Sequence, residues 1–503
     1  MVGSHCSRDN PTGLTAMAAN ADTGYQLVSA LFLRLLGVIY LIAFASLGLQ
    51  VEGLAGSQGI LPFSEQLATF ADRSGFERYF QLPTLFWLYA GDAALTGAAI
   101  GGCAAAVLIM FQRWSRPALV VAFVLYLSLY QACQPFLNFQ WDGLLLEAGF
   151  LAIFLTPQSR VMVLLFRWLL FKLRFMSGLA KLASGDPAWS GLTALNTYFE
   201  VQPLPNPLAW YAHQLPEWLL KFGTAATLAV ELLVPLMMFL PRRWRFAAAW
   251  LTILWQVLII LTSNHNWINL LTIALCLFLF DDRALARILT PGLQKTLGWR
   301  NLATVYTGPV SRLATGILAA GILLISGVHF WELRTMQRIP GLPGTVVNHV
   351  EAFRVVNKYH VFPTMTTERI ELEVSGSQDG LQWETYRFKY KPGALEQRPK
   401  LAMPYQPRLD WQMWFVTLHP RHLPWFEEFL YALLDNSPGV TALLAHNPFP
   451  DTAPRYIRVL AYRYTFTDPE QRAQSGNWWQ REALGPFTPL PWVEHSSAAP
   501  AGS

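Results

Sequence analysis

Val161-Met-Val-Leu-Leu-Phe-Arg-Trp-Leu-Leu-Phe-Lys-Leu-Arg-Phe-Met-Ser-Gly-Leu-Ala-Lys-Leu182 is the stretch on which the architecture turns. It is long and apolar enough for a membrane-crossing helix, which needs about 20 residues. Yet it contains Arg167, Lys172, Arg174 and Lys181. Arg167, Arg174 and Lys181 recur every seventh position, so on a helix they form one stripe that drifts only about 20° per step. A charge at mid-membrane costs on the order of 2.5–3.5 kcal/mol on insertion scales. Such a stripe is tolerated against protein partners or a wet cavity, not against lipid. The segment therefore predicts a helix enclosed by other helices that carry counter-charges.

The rest of the chain supplies those helices. Of 503 residues, 53% are hydrophobic and 14% charged, with mean hydropathy +0.29; a soluble protein usually carries about a quarter charged residues. Further apolar runs lie at Leu27–Leu49, Leu82–Phe111, Ala118–Phe136, Gly143–Leu155, Phe222–Leu240, Phe246–Thr262, Trp267–Phe280 and Leu313–Phe330. Gly143–Leu155 and Trp267–Phe280 are short. About nine spans are expected, two of them short. With a cytoplasmic N-terminus, Arg113, Arg116, Arg160, Arg242, Arg243, Arg245, Arg283, Arg287, Lys295, Arg300 and Arg312 then share the cytoplasmic side, as the positive-inside rule requires. The net charge of +5 is thus a membrane-orientation signal, and nucleic-acid binding is excluded as a reading. The first span is expected to act as an uncleaved membrane signal.

The odd count puts everything after Phe330 outside the cytoplasm. There the period changes to that of strands: Ile370, Leu372 and Val374 alternate with acidic residues, and Arg455–Tyr464 reads as a second long strand. With a helix near Pro424–Leu434, the expectation is a mainly β, sandwich-like soluble domain. The predicted organisation is a polar tail at 1–25, a helical membrane domain at 26–330, a β-rich non-cytoplasmic domain at 331–490 and a disordered tail at 491–503.

Counter-charges for the stripe are sought at Asp142, Glu147 and Glu231, with Asp92 a further option. Together with Arg167, Arg174 and Lys181, the first three form a candidate intramembrane polar network. Asn138, Gln140, His265 and Asn269 stand at non-cytoplasmic corners and are candidates for one polar pocket. Cys6, Cys103, Cys133 and Cys276 form no CxxC or Cys/His pattern, so neither a metal nor a cofactor is expected. Hydrolase, nucleotide and metalloprotease signatures are absent from the sequence.

Several long segments carry a resemblance. They are Phe136-Leu-Asn-Phe-Gln-Trp-Asp-Gly-Leu-Leu-Leu-Glu147, Trp189-Ser-Gly-Leu-Thr-Ala-Leu195, Gln202-Pro-Leu-Pro-Asn-Pro-Leu-Ala-Trp-Tyr-Ala-His213 and Asn266-Trp-Ile-Asn-Leu-Leu-Thr-Ile-Ala-Leu275. Arg408-Leu-Asp-Trp-Gln-Met-Trp-Phe415 and Asn447-Pro-Phe-Pro-Asp451 add to them in the soluble part. On these the chain resembles the lipase maturation factor family over nearly its whole length. The resemblance implies a multi-pass membrane protein with chaperone-like rather than catalytic activity, helping exported lipases fold and assemble. It would lie in the endoplasmic reticulum membrane with a lumenal C-terminal domain, or in a bacterial inner membrane with a periplasmic one. Arg408, Asp410, Trp411, Trp414 and Phe415, with Trp425 and Phe426, are the candidate client-binding residues. A second, local similarity links Phe175-Met-Ser-Gly-Leu-Ala-Lys-Leu182 to the vitamin K-dependent gamma-carboxylases. It implies the alternative of a membrane enzyme with Lys181 as base on a lipid, quinone or protein substrate. A transporter using the stripe as a relay is a third reading.

Overall fold

The computed structural model of the protein describes residues 24–73, 75–296 and 308–494. The N-terminal half is helical. Its principal helices are α1 (Gln26–Gly48), α2 (Asp92–Met110), α3 (Ser115–Ala132), α4 (Gln140–Ile153), α5 (Arg160–Ala183), α6 (Glu217–Leu232), α7 (Arg242–Thr262), α8 (Ile268–Cys276) and α9 (Pro309–Thr335). Among the described residues, six helices are long and apolar enough to cross a membrane: α1, α2, α3, α6 with its continuation to Met237, α7 and α9. The expectation of about nine spans exceeds that count for a physical reason. Helix α5 has the length but too many charges, whereas α4 and α8 are short.

Burial sorts these helices into a centre and a rim. About two thirds of the apolar window of α1 is buried, but only 17% of that of α9. Trp250, Leu254 and Leu258 of α7, and Ile317 and Leu324 of α9, are exposed apolar side chains, as suits contact with lipid tails. In the centre, Phe32 of α1 meets Phe166 of α5 and Phe278 edge-on, and the latter two stack at 4.3 Å.

The two ends of the bundle differ in chemistry. At one end Arg242 pairs with Asp281, Arg245 donates to the Leu279 carbonyl, and Asp282 accepts the amides of Gln26 and Val28. Gln112 at the end of α2 reaches the Ala30 carbonyl there. The opposite end carries the C-terminal half. There Gln50, Asn264 and Gln131 bind backbone at Gln406, Lys400 and Ala352.

The C-terminal half contains β1 (Arg369–Ser377), β2 (Glu384–Thr385), α10 (Arg408–Val416), α11 (Leu423–Leu434), β3 (Tyr456–Phe466), β4 (Trp479–Pro486) and β5 (Trp492–Glu494). The strands form one antiparallel sheet in the order β2-β1-β3-β4, with β5 also on β3. Strand β1 runs in unbroken register with β3, from Arg369 opposite Tyr464 to Ser377 opposite Tyr456. A sandwich was expected; the second layer is instead helical. Trp411 of α10 and Trp425, Phe426, Phe429 and Leu430 of α11 share one core with Leu372, Val374, Ile457 and Val459 of the sheet. The aromatic run from Trp383 to Tyr390 yields only the two-residue β2. The chain then leaves the sheet, and Arg387 bridges to His446. Of the expected disordered tail, Pro491 accepts the Val459 amide and 492–494 join the sheet; residues 495–503, like 1–23 of the N-terminal tail, lie outside the described residues.

A second, smaller core fastens the sheet to the segment between α5 and α6. Tyr464, Phe466, Trp478 and Trp479 pack on Phe199, Ala209, Trp210 and Leu220, and the Trp210 indole donates to the Thr467 carbonyl at 2.8 Å. Trp210 reads from sequence as a membrane-belt residue, but it is roofed by protein.

Candidate functional site

Helix α4 starts at Gln140, so Asp142 lies in its first turn, where a carboxylate suits the positive helix end. Arg408 lies at the start of α10. The two meet in a two-pronged pair with both oxygen–nitrogen distances 2.8 Å, and both side chains are fully buried. The Tyr126 hydroxyl donates to Asp142 at 2.6 Å, and Arg408 also donates to the Phe136 carbonyl at 3.2 Å. Burial opposes the charge on Arg408, but Asp142 outweighs that and raises its pKa above the ordinary range. A latch of amides surrounds the pair. Gln50 accepts the Arg408 amide and donates to the Gln406 carbonyl. Ser46 accepts the Gln406 amide, and Asn266 donates to the Gln406 side chain.

Glu147, one helical turn beyond Gly143, does not serve the stripe. It accepts from Lys172 at 2.5 Å, from the Tyr359 hydroxyl at 2.8 Å, and from both the amide and the side chain of Asn357 at 2.8 and 3.2 Å. The counter-charge of the stripe is Glu231. It lies 2.8 Å from Lys181 and 3.5 Å from Arg174. Gly178 makes this possible: a Cβ there would stand 2.9 Å from the Glu231 Cβ, so only glycine lets α6 approach α5 this closely. Lys181 also donates to the Val361 carbonyl at 2.6 Å and sits over the Trp189 ring. Arg167 goes instead to the Phe278 carbonyl at 2.9 Å and the Tyr25 hydroxyl at 2.5 Å, at the basic end. Asp92 binds Ser57 and is no counter-charge.

The four corner residues expected in one pocket go to separate partners. Asn138 accepts from Tyr130, Gln140 accepts from the His360 amide, and His265 lies 2.6 Å from the Tyr198 hydroxyl. The Asn269 side-chain nitrogen is buried without an acceptor among the described residues. Burial lowers the His265 pKa to about 4. The unfolded state then binds more protons between about pH 4 and 6.5, so stability falls as pH drops through that window. The gap corresponds to roughly 3 kcal/mol. Thermal unfolding of the detergent-solubilised protein should therefore show a midpoint that declines from pH 7.5 to pH 5. His265→Gln should flatten that decline.

The expected client-binding residues are corrected by the same seam. Arg408, Asp410 and Trp411 are buried to 0%, 2% and 3% exposure, because α10 is wedged between the helix bundle and the sheet. Asp410 does not pair with Arg408; it accepts the amides of Tyr390 and Lys391 at 2.6 and 3.0 Å. Trp425 and Phe426 are core residues as well, and only Trp414 and Phe415 remain half-buried. The sequence reading missed Tyr359, Asn357, Gln50 and Gln406. Of these only Gln50, directly after the run Leu27–Leu49, carried a visible signal, a polar residue beside a long apolar run. It also missed a cleft of about 420 Å³ lined by Ile60, Leu61, Glu65, Phe70 and Glu428, between the α1–α2 connection and α11. Among the described residues, no three His, Cys, Asp or Glu side chains are grouped to hold a metal ion.

Six apolar helices, and charged side chains paired inside the bundle they belong to, define a multi-pass integral membrane protein. Its sheet-containing C-terminal half caps one end of the helix bundle. Residues 27–287 match the lipase maturation factor transmembrane domain and residues 355–489 the lipase maturation factor C-terminal domain; the chain belongs to the lipase maturation factor family. It is 34% identical to lipase maturation factor 2 of Gallus gallus, with 91% of this chain and 80% of that protein covered. It is 32% identical to lipase maturation factor 1 of Homo sapiens, with 95% and 90% covered. Lipase maturation factor 2 of Homo sapiens is likewise 32% identical, over 93% and 83%. No solved structure matches the chain.

Proposed function

We propose that this protein is a membrane-anchored maturation factor that assists the folding and assembly of exported lipase-like proteins. The observation that carries this reading is the match of both halves, membrane and C-terminal, to the two domains of one family. We take residues 26–330 as the membrane unit and 331–490 as the client-facing unit. The crossing number is nine, with α4, α5 and the Ile268–Leu279 segment added to the six apolar helices. Helix α5, with 24 residues, is about 36 Å long, enough for a bilayer core. The C-terminal half lies on the non-cytoplasmic side, lumenal in an endoplasmic reticulum or periplasmic in a bacterium. Supporting this, the arginines 167, 242 and 245 gather at the bundle end away from the sheet.

With Trp411 of α10 buried and Trp414 and Phe415 half-buried, the client surface is reassigned to the α1–α2 connection. Phe76, Phe80, Leu88 and Tyr89 are exposed there, in a connection that also carries the exposed Glu65 and Glu77. Apolar groups rimmed by charge are what a folding factor needs for an unfinished client. Lys181 as a catalytic base is disfavoured, because its Nζ is taken by Glu231 and the Val361 carbonyl. A substrate would have to displace both. A deletion strain should secrete lipase of normal mass but low specific activity. Complementation with Phe76→Asp/Leu88→Asp should restore the membrane protein without restoring that activity. Unchanged activity in the deletion strain, or full rescue by Lys181-intact but not Lys181→Ala protein at equal abundance, would favour the enzyme.

A further inference from the structure

Charge on α5 does not balance around its lower half. Lys172 is neutralised by Glu147, and Arg167 sits at the basic end. That leaves Arg174 and Lys181 sharing one carboxylate, Glu231, the only buried acid on α5, α6, α7 or α8. The net charge of this cluster is +1. The two cations are unequally served. Lys181 has two short contacts, to the Val361 carbonyl and to Glu231, whereas Arg174 reaches Glu231 only through Nη2 at 3.5 Å without a hydrogen bond, and its Nε has no acceptor among the described residues.

A guanidinium more than nine-tenths buried with idle donors is costly, because a lost partner of a buried charge is not replaced by water. The two carboxylate oxygens of Glu231 are divided between the cations, one facing Lys181 at 2.8 Å and the other Arg174 at 3.5 Å.

The helix opposite loses a backbone hydrogen bond at this depth. Helix α6 ends at Leu232, and after Leu233, still in the right-handed helical region, the turn Val234–Met237 continues it with Pro235 near its start. A proline has no amide to offer the carbonyl four residues earlier, that of Glu231. Interrupted membrane helices are a recurrent way of opening polar sites to ligands within the bilayer. Beside Pro235, Leu233 and Leu236 are exposed to lipid. The Arg174 side chain keeps 9% exposure against 3% for Lys181, so any opening lies at the arginine.

We propose that Arg174 is a binding site for a single oxyanion, the headgroup of an anionic lipid that enters from the bilayer beside Pro235. The anion supplies the missing negative charge and accepts from the idle Nε and from the Nη that Glu231 meets only at 3.5 Å, for which the planar two-pronged guanidinium is suited. The proposal does not depend on the client-handling reading, since its test uses no lipase.

The test uses the full-length protein, purified and delipidated in a zwitterionic detergent. It is titrated with phosphatidylglycerol, phosphatidylcholine and inorganic phosphate, and bound ligand is counted by native mass spectrometry. One phosphatidylglycerol should bind per chain with roughly tenfold preference over phosphatidylcholine. Arg174→Gln should abolish that preference, whereas Arg243→Gln, at an exposed arginine, should leave it intact. Glu231→Gln removes the competing carboxylate and should strengthen phosphatidylglycerol binding severalfold; this variant decides the matter if Arg174→Gln does not fold. Competition by millimolar phosphate assigns the site to a free oxyanion, and its absence to a lipid headgroup; either supports the site. Equal binding of the two lipids by wild type, or full preference in Arg174→Gln, overturns it, as would weaker binding in a folded Glu231→Gln. In that case Glu231 with a neutral Lys181 already completes the cluster.

Discussion

Arg408→Ala is expected to destabilise the protein by roughly 3–5 kcal/mol, the range for removing one partner of a buried ion pair. The mutation leaves the Asp142 carboxylate at 0% exposure with Tyr126 as its remaining side-chain donor. It also strips the Phe136 carbonyl of a donor. Because Asp142 belongs to α4 and Arg408 to α10, the damage falls on the seam between the helix bundle and the sheet. The loss should therefore appear in two measurements. The thermal midpoint in detergent falls, and limited proteolysis releases the C-terminal half at protease concentrations that spare the wild type. Arg408→Lys should recover only part of the stability, since an ammonium cannot reproduce two parallel bonds to one carboxylate. Arg463→Ala, which removes an exposed sheet pair with Glu482, should leave both measurements unchanged. If Arg408→Ala unfolds no earlier than Arg463→Ala, the seam is held by the amide latch at Gln50 and Gln406 and not by the ion pair.

Much of the helical half was legible in the sequence because the membrane simplifies the physics. Apolar length, basic loop ends and a seven-residue spacing of cations each have one structural reading. The stripe did turn one face toward protein, and Glu231 was among its anticipated partners. Which acid meets which base was not legible, because that depends on packing between helices distant in sequence. Lys172 shows why: five residues from Arg167, it stands about 140° around the helix from the stripe, and so faces α4 and Glu147, not α6. Asp142 was placed in the stripe's network, but its partner lies 266 positions further along the chain. The aromatics of α10 were misread for a related reason. Sequence shows a tryptophan-rich segment, but not that it folds as a helix whose Arg408, Asp410 and Trp411 are covered by the bundle on one side and the sheet on the other. The strands of the soluble half were legible from their alternation. That helices and not a second sheet cover them was not, because an alternating strand has the same pattern under either cover.

Glu147 should prove more sensitive than the lysine it neutralises, and the asymmetry separates a structural hub from a simple ion pair. Glu147→Gln leaves Lys172, at 0% exposure, without the carboxylate that neutralises it. It also weakens the acceptor for the Tyr359 hydroxyl and for the Asn357 amide and side chain. A loss of roughly 3–5 kcal/mol is expected. Lys172→Met removes the cation while the carboxylate keeps three donors from Asn357 and Tyr359, so the expected loss is smaller, about 1–3 kcal/mol. Combining the two changes should cost less than their sum, since the uncompensated lysine is gone from the Glu147 variant. The readout is again the thermal midpoint in detergent, with hydrogen exchange at residues 355–361 as a local probe. Glu147 holds the Asn357–Tyr359 part of this segment, while Gln140, Ser177 and Lys181 hold His360 and Val361, so the amides around 357–359 should exchange early in Glu147→Gln and stay protected in Lys172→Met. Equal losses from the two single variants, with unchanged exchange at 355–361, would mean that the segment is held by its apolar contacts, Val356 and Tyr359 among them. Glu147 would then be a local charge partner for α5 and nothing more.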